Sequence, residues 1–215
     1  MNVKKMDHLE MTAIQPKQYG ALIADPPWTF ATWSETRQTR AAKKHYVVMT
    51  LADIAQFPMA PLALPDSCLF LWVSSPMLPQ ALDVMRAWGF IYKGVVFCWV
   101  KLNKKSPGFH MGMGYWTRAN VELCLLGTRG KPKRLAKDVR QLVVEKRREH
   151  SRKPEIVRAS IERLVAGPYA DLWSRQSRPG WDCFGNEAGK FDGQPMDLKI
   201  TLIRRIKWFE ITTLC

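Results

Sequence analysis

The stretch Ala21-Leu22-Ile23-Ala24-Asp25-Pro26-Pro27-Trp28-Thr29-Phe30 sends four apolar residues straight into an acid, two prolines and an indole. Four apolar residues without alternation read as a buried strand, with Asp25 at its carboxyl end. In open α/β sheets, ligands bind beyond the carboxyl ends of the strands. Proline fixes φ and carries no N–H, so a following helix cannot consume the carbonyls before and within this turn. The expected product is a stiff platform that presents the Asp25 carboxylate, a free carbonyl at Pro26 and the Trp28 indole.

Such a platform suits a planar amine. The exocyclic nitrogen of adenine has two N–H donors, and its lone pair is delocalised into the ring. A carboxylate and a carbonyl can accept both hydrogens, which favours a pyramidal nitrogen with an available lone pair, while Trp28 stacks on the ring. A sulfonium methyl donor held in line then completes a direct transfer, through positioning and preorganised electrostatics. Taken alone, Asp25-Pro26-Pro27 is equally well a rigid turn. The strand before it and Trp28 after it favour the ligand reading.

Working outward, residues 29–46 are polar and basic and read as a mobile loop. Thr50 can cap a short helix with Asp53 at the capping-box position, and Met49 with Ile54 can form a staple. Residues 68–73 read as a second buried strand. Leu78, Leu82, Met85 and Trp88 recur at helical spacing, and Gly89 ends that helix. Strands follow at 95–100 and 121–126, separated by a glycine-rich loop at 103–120. Val157, Ile161, Leu164 and Val165 mark an amphipathic helix ended by Gly167. Residues 169–173 and 181–184 complete the strands. Strands alternating with helices indicate an α/β fold with a parallel-rich sheet.

The chain carries 33 Lys and Arg against 19 Asp and Glu, a formal charge of +14. Residues 129–153 alone hold eleven cations against three acids. This segment is either a solvated face or a run of phosphate contacts, and a polyanion is the first partner to consider. Nine tryptophans on a basic protein also suit stacking on bases. The five cysteines include no CxxC pair, and three sit in apolar runs. With no signal peptide evident, this fits a reducing cytoplasm, without zinc or a disulfide framework. No apolar run approaches the roughly 20 residues that span a bilayer. His45, His110 and His150 have no metal-ligand spacing, and direct methyl transfer needs no metal.

The motifs resemble those of the MT-A70 family of adenine-N6 methyltransferases, whose signature is Asp-Pro-Pro-Trp. The resemblance includes HYVVMT at 45–50, CLFLWVSSP at 68–76, GYWTRANVELCLLGTRGKPKR at 114–134, REHSRKPE at 148–155 and IERLVAGPYADLWSRQSRPGWDCFGNE at 161–187, in that order. It covers about residues 19–187 and looks like the short bacterial and phage branch. It implies a Rossmann-like class I methyltransferase fold, a mostly parallel sheet with helices on both faces. The motif order is circularly permuted, with the catalytic Asp25-Pro26-Pro27-Trp28 ahead of the cofactor strand 169–173. Residues 1–189 would form one methyltransferase domain, with 190–215 a tail.

The cofactor so implied is S-adenosylmethionine. Lys153 would meet its methionine carboxylate, unless it is one more solvated lysine, and Asp25 would also face it. Arg175, Asn186 and Glu187 would hold the ribose hydroxyls. Ser177 would lie at the methionine end, where Ser177-Arg178 replaces the His-Asn of the eukaryotic mRNA branch. Asp171 would be a ribose contact or a buried partner for Arg175. The usual glycine-rich cofactor loop is replaced by Ser174-Arg175-Gln176-Ser177-Arg178. On the substrate side, Tyr46, Trp116, Arg118, Asn120 and Glu122 would line the base pocket, with Trp116 equally able to be core. Lys133 and Arg134 would touch phosphate. The resemblance implies methylation of adenine N6 in nucleic acid, DNA ahead of RNA. A homodimer is compatible with it. The alternatives are an RNA adenosine methyltransferase and a non-catalytic nucleic-acid-binding subunit.

Overall fold

A computed structural model describes residues 17–28, 49–114, 116–149 and 151–193. Tyr46, the loop at 29–46 and the tail beyond 193 therefore lie outside or largely outside the described residues. Seven strands form one sheet: β1 Tyr19–Ala24, β2 Ala63–Val73, β3 Ile91–Leu102, β4 Val121–Arg129, β5 Leu142–Lys146, β6 Tyr169–Leu172 and β7 Trp181–Phe184. Their spatial order is β5-β3-β4-β2-β1-β6-β7. Every pairing is parallel except the two made by β4, which alone runs against the others. This is the mostly parallel, Rossmann-like methyltransferase sheet.

β1 lies at the centre, and all six of its residues are buried. Because successive side chains alternate across a strand, its residues feed two cores. Leu22 and Ala24 join Leu69, Leu71, Leu172 and two helices, α1 Leu51–Gln56 and α2 Leu78–Ala87, through Ile54, Ala81, Val84 and Met85. Ala21 and Ile23 join Phe70, Trp72, Phe97 and Val143 on the other face. There the cover is α3 Glu155–Leu164, through Val157 and Ile161. Helices thus lie on both faces.

Local chemistry sets the helix ends. Thr50 caps α1 with both bonds of the capping box to Asp53 in place. Ile54 is buried, and Met49 packs on the same core. Gly89 follows α2 with φ +80°, a conformation that disfavours any residue with a Cβ. α3 ends at Leu164, earlier than Gly167, with Val165 already extended. β2 starts at Ala63, ahead of the expected 68, with Pro65 and Asp66 inside it. A register irregularity between Tyr19 and Ala21 absorbs them.

The larger difference is β5. Residues 142–146 form an edge strand inside the segment whose charge suggested a solvated face. Val143 is buried and Cys98 to Leu102 of β3 pair with the strand. Charged residues along an edge strand discourage pairing with another chain, so the charge and the strand are compatible.

Candidate active site

β1 and β6 lie side by side, with Ala24 opposite Leu172. The Asp25 N–H donates to the Leu172 carbonyl at 3.3 Å, which extends the pairing one residue into the Asp-Pro-Pro-Trp turn. Asp25 therefore stands at the carboxyl ends of two neighbouring strands, where such sheets hold ligands. A cleft opens there. Ile23, Asp25 and Trp72 line one side, residues 151–155 with Arg158 another, and Asp171 with residues 173–176 the third.

Two backbone outliers flank this cleft. Ser151 and Trp173 are the non-glycine residues with positive φ among those described, at 62° and 59°. Such conformations persist where the surroundings impose them, and they cluster at ligand sites. For Trp173 the surroundings are Phe57, with ring centroids 4.7 Å apart, and Trp88, stacked at 6.1 Å.

The charges form two linked groups. The Lys153 ammonium donates to Asp25 Oδ2 at 2.5 Å and to Glu122 Oε1 at 2.9 Å, and it lies 5.4 Å from the Trp72 ring centre. Lys101 holds the other oxygen of Glu122 at 2.9 Å. Burial pushes the Asp25 carboxyl up, against the pull of Lys153. Burial acts on Glu122 too, but Lys153 and Lys101 together hold it below the usual carboxylate range. Lys153 is raised despite its burial, because Asp25 and Glu122 both favour the cation. Glu122, with two cations, is the firmly ionised member, and Asp25 is the one whose charge depends on the shared lysine.

The second group is built on Arg158 of α3. It pairs with Asp171 and with Glu155 at 3.0 Å. Burial lifts Asp171, which Arg158 and Ser174 oppose. Arg178 ties Glu155 to Glu162 at 3.1 and 2.9 Å, and Arg152 reaches Gln176 Oε1 at 2.8 Å.

Several sequence expectations change here. Trp28 is only 9% exposed, and its indole N–H donates to the Trp72 carbonyl at 2.9 Å. It anchors the turn to the end of β2 and does not offer an open stacking face. The Pro26 carbonyl is not free, since it accepts the Trp28 N–H at 2.8 Å, though a carbonyl keeps a second lone pair. Pro26 is buried and Pro27 half-buried. Lys153 is no solvated lysine. Two of its three N–H donors are taken by Asp25 and Glu122, which leaves one for a ligand carboxylate. Asp171 is buried with a cation, but the cation is Arg158. Arg175 pairs instead with Glu187, which also holds Lys190.

Asn186 is exposed and outside the cleft lining, whereas Arg175 is within it. Ser177 donates its N–H to Asp192 at 2.8 Å. Glu122 reaches Asp25 through Lys153, while Trp116 and Arg118 stand exposed on the 103–120 hairpin and Asn120 lies at its foot. Trp116 is thus not core. Lys133 and Arg134 are exposed between β4 and β5. Trp173, Ser174 and Gln176 fall in the strand and loop assigned to the cofactor but had been given no individual role. Arg158 was not anticipated, and its one signal was its spacing of three from Glu155 on one helix face.

The arrangement suits a ligand with a zwitterionic end beside a reacting amine. Asp25 and Lys153 offer an anion and a cation within one hydrogen bond of each other, at the carboxyl ends of two strands. The methionine end of S-adenosylmethionine carries both charges and fits that donor set. Among the described residues there is no cluster of His, Cys, Asp and Glu able to hold a metal ion, and no helix is long and apolar enough to cross a membrane.

A Rossmann-like sheet with Asp-Pro-Pro-Trp at a central strand end defines the chain as a methyltransferase of the adenine-N6 type. The MT-A70 family model matches residues 19–187, and the chain belongs to that family. It is 28% identical to the type II methyltransferase M.MunI of a Mycoplasma species, over 80% of this chain and 78% of that protein. It is 28% identical to an MT-A70-like N(6)-adenosine-methyltransferase of Arabidopsis thaliana and 26% identical to the human N(6)-adenosine-methyltransferase catalytic subunit METTL3. Those matches cover 79% of this chain but only 24% and 28% of the two relatives, so the chain spans about a quarter of their length.

Proposed function

We propose that this protein transfers a methyl group from S-adenosylmethionine to N6 of adenine in DNA, with short or relaxed sequence specificity. The observation that carries the reading is Asp25, a half-buried carboxylate held by Lys153 at the carboxyl ends of β1 and β6, inside an intact Asp-Pro-Pro-Trp turn. When bound, the cofactor supplies an electrophilic methyl group. Lys153 and Asp25 would hold its amino-acid end, and Ser174, Arg175 and Gln176 would line the remainder of its site.

The chain's own contribution is orientation and charge. The ionised Asp25 accepts one N6 hydrogen, and the second lone pair of the Pro26 carbonyl accepts the other. Both direct the nitrogen lone pair out of conjugation, and the carboxylate stabilises the positive charge that nitrogen gains on alkylation. Trp28 acts by fixing the turn to β2. We take residues 1–189 as one methyltransferase domain, built of one sheet and its covering helices, whereas reading a long site needs several side chains set against base edges in the major groove. A paired adenine must also be turned out of the duplex, at a cost of about a few kcal/mol that unpaired strands avoid. Flanking sequence should therefore matter little.

DNA is preferred because the type II methyltransferase is matched over most of both lengths. RNA is the second reading, favoured by the names of the longer relatives. The intact turn argues against a non-catalytic subunit. The test is methylation of DNA and RNA oligonucleotides, read by mass spectrometry for N6-methyladenine. Methylation of RNA alone would overturn the choice of DNA, and no methylated adenine in either would overturn the activity. Full methylation of one motif of six or more bases, about the length that needs several major-groove contacts, would overturn relaxed specificity if no other adenine were touched.

A further inference from the structure

The 103–120 hairpin rises from the same edge of the sheet as Asp25. β3 is antiparallel to β4 and β4 to β2, so β3 runs in the direction of β2 and β1. Leu102 and Val121, where the hairpin leaves and rejoins the sheet, therefore sit at the carboxyl-end edge. The next residue, Glu122, shares Lys153 with Asp25.

The hairpin has defined structure. The His110 N–H donates to the Lys101 carbonyl at 2.7 Å, Lys101 N–H to Asn120 at 2.9 Å, and Gly112 N–H to Ala119 at 3.0 Å. A Cβ at Gly112 or Gly114 would collide with the carbonyls of Ala119 and Thr117. The turn is thus built around two residues without side chains, and it points large apolar groups outward. Phe109 is 57% exposed, Met111 73%, Met113 84% and Trp116 92%. Four such groups within eight residues differ from the scattered apolar side chains of an ordinary surface.

The shaft below this tip is cationic. Residues 101–120 contain Lys101, Lys104, Lys105 and Arg118 and no Asp or Glu. At the foot, Arg147 donates its N–H to the Leu102 carbonyl at 3.1 Å. Burial, and after it the nearby Arg147 and Lys101, hold the His110 imidazole below its usual range. An apolar tip on an acid-free, basic shaft matches stacked bases beneath phosphates. It matches a second copy of this chain poorly, because that copy also carries +14.

Resting on the reading of the protein as an adenine methyltransferase of nucleic acid, we propose that the hairpin is a wedge. Met113 and Trp116 enter the base stack beside the target and hold open the gap left when adenine turns toward Asp25. Lys104, Lys105 and Arg118 meet the flanking phosphates. Apolar side chains inserted between base steps, and aromatic rings stacked on bases, are established ways of holding distorted strands.

The test uses the full chain and a duplex with 2-aminopurine next to the target adenine, in the presence of S-adenosylhomocysteine. Saturating wild-type protein is expected to raise the 2-aminopurine fluorescence. The double variant Trp116→Ala with Met113→Ala should cut that rise at least about fivefold. Its turnover should fall by a similar factor on paired DNA, but by less than about twofold where the target adenine already faces an abasic site. Both substitutions are on exposed side chains, so unchanged circular dichroism is expected. An undiminished fluorescence rise, or equal losses on paired and unpaired targets, would overturn the wedge. So would a wild-type dimer that the variant turns into a monomer with no change in fluorescence, since the hairpin would then be a protein interface. A fluorescence rise without methylation of any adenine would support the wedge and sink the methyltransferase reading instead.

Discussion

The cleft at Asp25 and the hairpin at 103–120 stand on one edge of the same sheet and are built from opposite materials. In the cleft, Asp25, Glu122, Glu155, Asp171, Lys153 and Arg158 have side chains between 5% and 25% exposed. On the hairpin, Trp116 and Met113 are more than four-fifths exposed. Charges are inside and apolar groups outside. Buried charges persist only when paired, so each cleft residue is held by another. The hairpin tip relies mainly on backbone bonds and two glycines. A substitution in the cleft should therefore disturb fold, protonation and catalysis together. One on the hairpin should disturb nucleic-acid handling alone.

The largest effect that would sharpen this contrast is at Asp25. Asp25→Asn keeps the shape and one acceptor but removes the charge, so single-turnover methyl transfer should fall by about a thousandfold. Calorimetric titration should find cofactor affinity reduced at most modestly. Near-wild-type turnover would break the assignment.

Next is Arg158→Leu, which takes from Asp171 its paired cation, while Glu155 keeps Arg178. Breaking a buried pair in this way costs about 3–5 kcal/mol, measurable by urea denaturation. A loss below about 1 kcal/mol would place these charges in water and dissolve the difference between the two regions.

The pH dependence tests the shared lysine. Turnover requires the Asp25 anion, and Asp25 is raised by burial, so activity should fall with acid at a pH above the ordinary carboxylate range. For stability the two acids act oppositely. The raised Asp25 contributes stability below its unfolded pKa and loses it as pH rises through its folded value. The lowered Glu122 contributes stability above its unfolded pKa and loses it as pH falls through its folded value. Lys101→Met leaves Glu122 to draw harder on Lys153. The acid limb of kcat should then move to higher pH. An unmoved limb would show that Asp25 and Glu122 titrate independently.

Charge reversal at Lys133, Arg134 and Lys137 should reduce the log–log salt slope of binding by about 2–3, or about 0.9 per lost phosphate contact, with the cleft untouched. An unchanged slope would mark these residues as a solvated face. The smallest effect is expected at Thr50→Ala, which removes the α1 capping box. It should cost about 1 kcal/mol in denaturation, with turnover unaffected.

Much of this was legible along the chain because it is encoded locally. The buried run before Asp25, the stiffness of Pro26-Pro27, the Thr50–Asp53 box, the α2 periodicity and the Gly89 stop each depend on neighbours in sequence. The order of the motifs carried the family, and with it the permuted sheet. What stayed hidden depends on which distant residues meet. Charge along 129–153 masked β5, because burial of Val143 is conferred by β3 and α3. The presence of Lys153 was legible. Its division between Asp25, 128 residues away, and Glu122 of β4 was not. Arg158 and Arg175 look alike in sequence, yet only the packing of α3 against β6 gives Asp171 to the first and leaves Glu187 to the second. Trp28 and Trp116 were both read as faces for a base. The sheet took Trp28 inward, because the end of β2 offers its indole a carbonyl, while the 112–119 turn left Trp116 in solvent. The sequence by itself determined which groups exist and the stiff strand end that presents Asp25. Only the tertiary structure decided which charge each group shares and which aromatic faces outward, because both depend on contacts between segments far apart in the chain.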